Sequence, residues 1–88
     1  MKIVIVKVFS VYDCKAEAYM MPQYYHTSGV AERAFKQAVN SEDTQFYTNP
    51  QDFTLFELGT FDDSRAEFFI YNTPISVVTA LQVKKSVS

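Results

Sequence analysis

The chain is poor in the residues that ordinarily announce chemistry. Its 88 residues include one cysteine, one histidine, two glycines, three prolines and no tryptophan. The single Cys14 excludes an intrachain disulfide, and small secreted domains usually carry several. With Gly29 and Gly59 alone, there is no glycine-rich loop to cradle a phosphate. Any nucleophilic site would depend on His26, and Cys14 with His26 has no metal-ligand spacing. Asp62-Asp63 reads as a solvated acidic turn rather than a cation site. These absences predict a protein that is not an enzyme and needs neither metal nor cofactor.

Long apolar runs are missing too. No stretch approaches the roughly 20 apolar residues of a membrane-spanning helix. Ile3 to Val6 is apolar, but Lys7 interrupts it and no small-residue cleavage site follows. The expectation is a soluble, intracellular chain. Eight Lys and Arg against ten Asp and Glu give a net charge of −2. That weighs against a large electrostatic grip on nucleic acid, while leaving room for a local basic patch. The length predicts a single domain, 1–88, with 83–88 as a polar, mobile tail.

What the chain does have is aromatic side chains, eight Phe and six Tyr. Each can bury on the order of 150–250 Å². Five of the phenylalanines fall within Phe53 to Tyr71, FTLFELGTFDDSRAEFFIY. Alternation before Asp62, four polar residues to Arg65 and a second apolar run predict a β-hairpin. Gly59 inside its first strand predicts a bulge or a close backbone approach.

Earlier in the chain, Lys2 to Tyr12 is rich in β-branched residues. Ile3, Ile5, Lys7, Phe9 and Val11 alternate with Val4, Val6, Val8, Ser10 and Tyr12. Both sets are mostly apolar, predicting a central strand or one whose second face a partner covers. Asp13-Cys14-Lys15 reads as a turn, and Ala16 to Met21 as a short returning strand ended by Pro22, with a helical turn as the competitor. Thr27-Ser28 caps a helix over Val30 to Asn40, which should pack through Ala31, Ala34, Phe35 and Ala38. Ser41 to Asp52 is read as an irregular loop and a place to look for binding. Thr73-Pro74 predicts a second, short helix to about Gln82, against a strand favoured by the β-branched Ile75, Val77, Val78 and Thr79. The predicted fold is α+β: a small antiparallel sheet of three or four strands, one main helix on a face, and a short C-terminal helix.

SVYDCKAEAY (Ser10 to Tyr19), AERAF (Ala31 to Phe35), AVN (Ala38 to Asn40), NPQDFTLFELGTFDD (Asn49 to Asp63) and Thr73-Pro74-Ile75-Ser76 carry a resemblance. The chain resembles the small nonstructural, DNA-binding protein of gokushovirus-type microviruses, bacteriophages with single-stranded DNA genomes. The resemblance implies a viral protein of the host cytoplasm that binds single-stranded DNA without sequence specificity, linked to genome synthesis or packaging. The residues offered for that role are Lys2, Lys7, Arg33, Lys36, Lys84 and Lys85 for phosphates, and Tyr24 and Tyr25 for stacking. The same tyrosines can instead pin the strand-to-helix connection onto the core, and the Glu32–Lys36 spacing makes Lys36 an ordinary solvated helix residue. A different class of function is also open: an assembly module that self-associates, most simply as a homodimer using the first strand or its face.

Overall fold

The computed structural model describes residues 5–85. Strand β1, Ile5–Asp13, lies inside the sheet, as its doubly apolar pattern predicts. One edge of β1 takes two short strands in succession, β2 (Ala18–Tyr19) opposite Tyr12 and Asp13, and β3 (Gln23–Tyr25) opposite Lys7 to Phe9. The other edge takes β4, Phe53–Asp62, and β4 in turn pairs with β5, Glu67–Thr79. All pairings are antiparallel, in the order β2-β1-β4-β5 with β3 also on β1. Five strands thus make a sheet four strands wide, and the fold is α+β. The described chain is elongated, 51 × 25 × 19 Å.

Both hairpin turns are built alike. Asp13 Oδ1 accepts from the N–H of Lys15 and Ala16, and Asp62 Oδ1 accepts from the N–H and hydroxyl of Ser64. In each turn the residue four after the aspartate, Glu17 or Ala66, takes φ 55°. These side-chain hydrogen bonds hold the turns without glycine, in the left-handed region where non-glycine residues are uncommon. The Ser64 hydroxyl, first among the causes, holds the Asp62 carboxyl below the usual carboxylate range.

Helix α1 spans Ser28–Val39, with the Thr27 hydroxyl accepting from Val30 N–H as its cap. Ala31, Phe35 and Val39 recur every four residues and are the ones that α1 buries. They join Phe9, Phe53 and Leu55 from the sheet and Ala80 from the C-terminal helix in one core. Full burial of a Phe or Val contributes about 1.5–3 kcal/mol, so these few residues carry much of the fold. Ala34 and Ala38, expected in the tight contact, are only partly buried and line an apolar pocket.

Two stretches differ from expectation. Ser41 to Asp52 is not an irregular loop: it folds as α2 (Gln45–Thr48), capped by Thr44, and a 3-10 turn at Pro50–Asp52. Phe46 explains the order, stacking edge-on against Phe53 at 4.8 Å and Phe35 at 5.7 Å. At the C-terminus the helix is shorter than predicted, α3 over Ala80–Val83, because β5 continues to Thr79. The β-branched residues prevail, and Pro74 is tolerated because β5 is an edge strand. The true cap is Thr79, whose hydroxyl accepts from Gln82 N–H while the Gln82 side chain accepts from Thr79 N–H. Nor does the expected tail begin at Val83. Lys84 N–H donates to Ala80 O, and Lys85 N–H donates to Asn40 Oδ1.

Three register slips shape β4 and its neighbours. β1 and β4 slip between Val8 and Phe9, leaving Leu58 as an extra residue. β4 and β5 slip twice, once between Leu55 and Phe56, and again where Glu57 pairs with Ile75 and Gly59 with Ile70. A Cβ on Gly59 would collide with the Phe69 carbonyl oxygen and stand 2.8 Å from Ile70 Cα. This is the close approach that the lone strand glycine predicts.

Candidate nucleic-acid interface

Side chains alternate across a strand, so the sheet register sorts residues onto two faces. Lys7, Phe9 and Val11 share the helix-covered face with Tyr25, Leu55 and Glu57. Val6, Val8, Ser10 and Tyr12 point the other way, with Tyr19, Tyr24, Phe56 and Phe61 as their partners in register. Phe68 joins them opposite Phe61.

That second face carries two ring clusters. Tyr12, Tyr19 and Phe56 meet at centroid distances of 4.9 to 6.3 Å. Tyr24, Phe61 and Phe68 meet at 4.7 to 6.4 Å. Val8 and Ser10 form the floor between the clusters, at 3% and 1% exposure. Tyr19, Tyr24 and Phe68 keep much of their ring surface in solvent. Tyr12 lies six residue steps from Val6, so the platform extends about 20 Å along β1. Among the described residues the helices gather on the opposite face, where Ala31, Phe35, Val39 and Ala80 enter the core.

The residues named from sequence do not form one patch. Tyr24 lies on the open platform. Tyr25 turns inward, its ring 5.9 Å from that of Phe9, and is a core anchor. Lys7 lies on the helix-side face, with Nζ 3.7 Å from Glu57 Oε1. Arg33 and Lys36 are on the exposed side of α1. Asn40 Nδ2 donates to Lys36 O and Val83 O, and Asn40 Oδ1 accepts from Lys85 N–H. This single amide brings Lys36, Lys84 and Lys85 around the C-terminal end of α1. Lys84 Nζ lies 4.2 Å from the Tyr47 ring centroid, a cation–π contact. Lys2 falls outside the described residues.

Sequence reading missed Tyr12, Tyr19, Phe56, Phe61 and Phe68 as one surface. The period-2 pattern places each on a face of its own strand, but only the register joins them. Lys15 and Arg65 were also passed over. They occupy the turns at opposite ends of the platform, after β1 and after β4.

Glu57 organises the other face. It is 8% exposed, and besides Lys7 it accepts from the Tyr71 hydroxyl at 2.6 Å. That bond, followed by burial, pushes the Tyr71 hydroxyl above its usual range. The arrangement neutralises a buried carboxylate and ties β1, β4 and β5 together. An apolar pocket of about 250 Å³ lies under α1, lined among others by Phe9, Met20, Met21, Ala34 and Phe35. Among the described residues no three His, Cys, Asp or Glu side chains gather as metal ligands, and no helix is long and apolar enough to cross a membrane.

The family described as Phage ORF5 protein matches residues 6–83. No curated protein and no solved structure matches the chain. The matched span runs from β1 through α3 and includes every ring of the platform. The chain belongs to the Phage ORF5 protein family.

Proposed function

We propose that this phage protein binds single-stranded DNA without sequence specificity, by stacking bases on the aromatic face of its sheet. The observation that carries the reading is the pair of ring clusters on a face that no described helix covers. Exposed aromatics on a sheet are a sequence-tolerant platform, because every base offers a π-face. Duplex DNA hides those faces in its stack, so single strands are preferred. The resemblance to the nonstructural protein of microviruses supports the same reading and ties it to genome synthesis or packaging.

The charge distribution limits the strength. Arg33, Lys36, Lys84 and Lys85 lie toward the helices, and Glu57 engages Lys7. Lys15 and Arg65 flank the platform, and the exposed Arg65 already sits 3.6 Å from Glu67. Two phosphates at most are neutralised, giving a log–log salt slope of about −1.4 on single strands.

Titration of a labelled oligothymidine at two salt concentrations, beside a duplex of equal length, tests this. Weak binding is expected, stronger for the single strand and with the shallow salt slope of about −1.4. Tyr19→Ala, Tyr24→Ala and Phe68→Ala should each weaken it without changing the slope. No binding at low salt and tens of micromolar protein, roughly the non-specific range, rejects the proposal.

A further inference from the structure

We propose that a second copy of this chain docks on the outer edge of β5, pairing antiparallel across a two-fold axis at Phe69. The proposal does not rest on DNA binding, although Phe68 borders both surfaces, and it differs from self-association through the first strand. Strand β1 is taken on both edges, by β2 and β3 on one side and β4 on the other. Among the described residues, the outer edge of β5 is the long open one.

The direction of its polar groups follows from Gly59. Phe69 O lies against Gly59, so the Phe69 main chain points toward β4. In an antiparallel strand the next residues on either side point the opposite way. Phe68 and Ile70 therefore present N–H and C=O outward, as a template for another strand. Their side chains match that exposure. Phe68, Phe69 and Ile70 are 56%, 67% and 55% exposed in a segment, Glu67 to Tyr71, with no Lys, Arg or Pro to deter pairing.

Self-complementarity selects the register. With Phe69 on the axis, Phe68 faces Ile70 of the second copy, Ile70 faces its Phe68, and the two Phe69 rings adjoin. This is the register in which all three exposed apolar residues meet one another. The Phe68–Ile70 pairs are the hydrogen-bonded ones and contribute four N–H···O=C bonds. Phe69 against Phe69 is the closer, non-hydrogen-bonded pair. Charge favours the same arrangement. Each Glu67 lies across from a Tyr71, whereas parallel pairing would set Glu67 beside Glu67. The second sheet then continues the first, and both aromatic platforms fall on one side.

The interface is small. Three half-exposed apolar side chains supply on the order of 300 Å² per copy, below the roughly 800 Å² of a standard stable interface. Association is therefore concentration-dependent, in the micromolar range.

Sedimentation of the full chain, from about 5 to 500 µM, should show a 10.1 kDa monomer passing to twice that mass. Ile70→Lys, at an exposed site, should hold the chain monomeric throughout with unchanged thermal stability, and Phe68→Lys should do the same at a lower Tm, because it also removes the ring that packs on Phe61. Phe69→Cys in a Cys14→Ser background should form an intermolecular disulfide on oxidation, since the axis pair lies within disulfide reach. Glu67→Cys in the same background should not. A wild-type monomer at the highest concentration overturns the proposal. So does a dimer that survives both lysine variants, or one that cross-links at residue 67 and not at 69.

Discussion

Tyr24 and Tyr25 are neighbours in the chain and lie on opposite faces of the sheet. Tyr24 pairs with Val8 and stands beside Phe61 and Phe68, while Tyr25 pairs with Lys7 and packs against Phe9. One strand step separates a ring in solvent from a ring in the core. The tyrosine pair therefore holds two different jobs.

This separation is measurable. Tyr24→Ala should reduce oligothymidine affinity by about 1–3 kcal/mol, the usual contribution of a stacked base, and leave the urea midpoint nearly unchanged. Tyr25→Ala should lower stability by about 2 kcal/mol, because it empties part of a packed core. If Tyr25→Ala folds as stably as the parent, the inward assignment is wrong.

Gly59→Ala tests the close approach of β4 to β5. The added methyl meets the Phe69 carbonyl oxygen and Ile70 Cα, both backbone, so no side-chain rotation relieves it. A loss of about 3 kcal/mol is expected. Equilibrium urea unfolding reads it directly, and a loss under about 1 kcal/mol would mean the strands can separate there at little cost.

The Tyr71–Glu57 bond has a pH signature. The native Tyr71 hydroxyl is raised above its unfolded value, so the bond's stabilisation is complete below about pH 10 and lost as pH rises through the native pKa. Absorbance titration near 295 nm should show a late-ionising step that belongs to Tyr71. Tyr71→Phe should remove that late step and cost about 1 kcal/mol of stability at neutral pH. A titration that is unchanged in Tyr71→Phe would refute the assignment.

The alanines of α1 differ in what they tolerate. Ala31 is buried against the core, and Ala31→Glu should unfold the domain, since an unpaired charge enters it. Ala34 borders the apolar pocket, so Ala34→Leu should be neutral or slightly stabilising, and Ala31→Leu destabilising by about 1–3 kcal/mol. Thermal melts of the two leucine variants settle it; equal losses would mean the pocket does not accept a side chain.

Much of the fold was legible in one dimension because its signals are local. The β4–β5 hairpin, the first strand, the Thr27 cap and the period of α1 all follow from alternation, turn chemistry and helical spacing. So does the meaning of Gly59. The C-terminal cap was legible as well and was misread: Thr79-Ala80-Leu81-Gln82 is a capping-box pattern, but Thr73-Pro74 drew the helix start six residues too early. The ordering of Ser41 to Asp52 was not legible, because it rests on Phe46 reaching Phe35 and Phe53 across the core.

The sequence by itself determined an α+β domain, its strands and main helix, and the class of side chain available to meet a partner. The tertiary structure alone decided which of those side chains stand together. Tyr12, Tyr19 and Phe56 become one surface only when β2 and β4 fall into register on β1. Lys7 meets a carboxylate only because Glu57 arrives opposite Phe9. The physical reason is the same in both cases. Alternation is a property of one strand, whereas register is set by bulges and turns that act between strands distant in sequence.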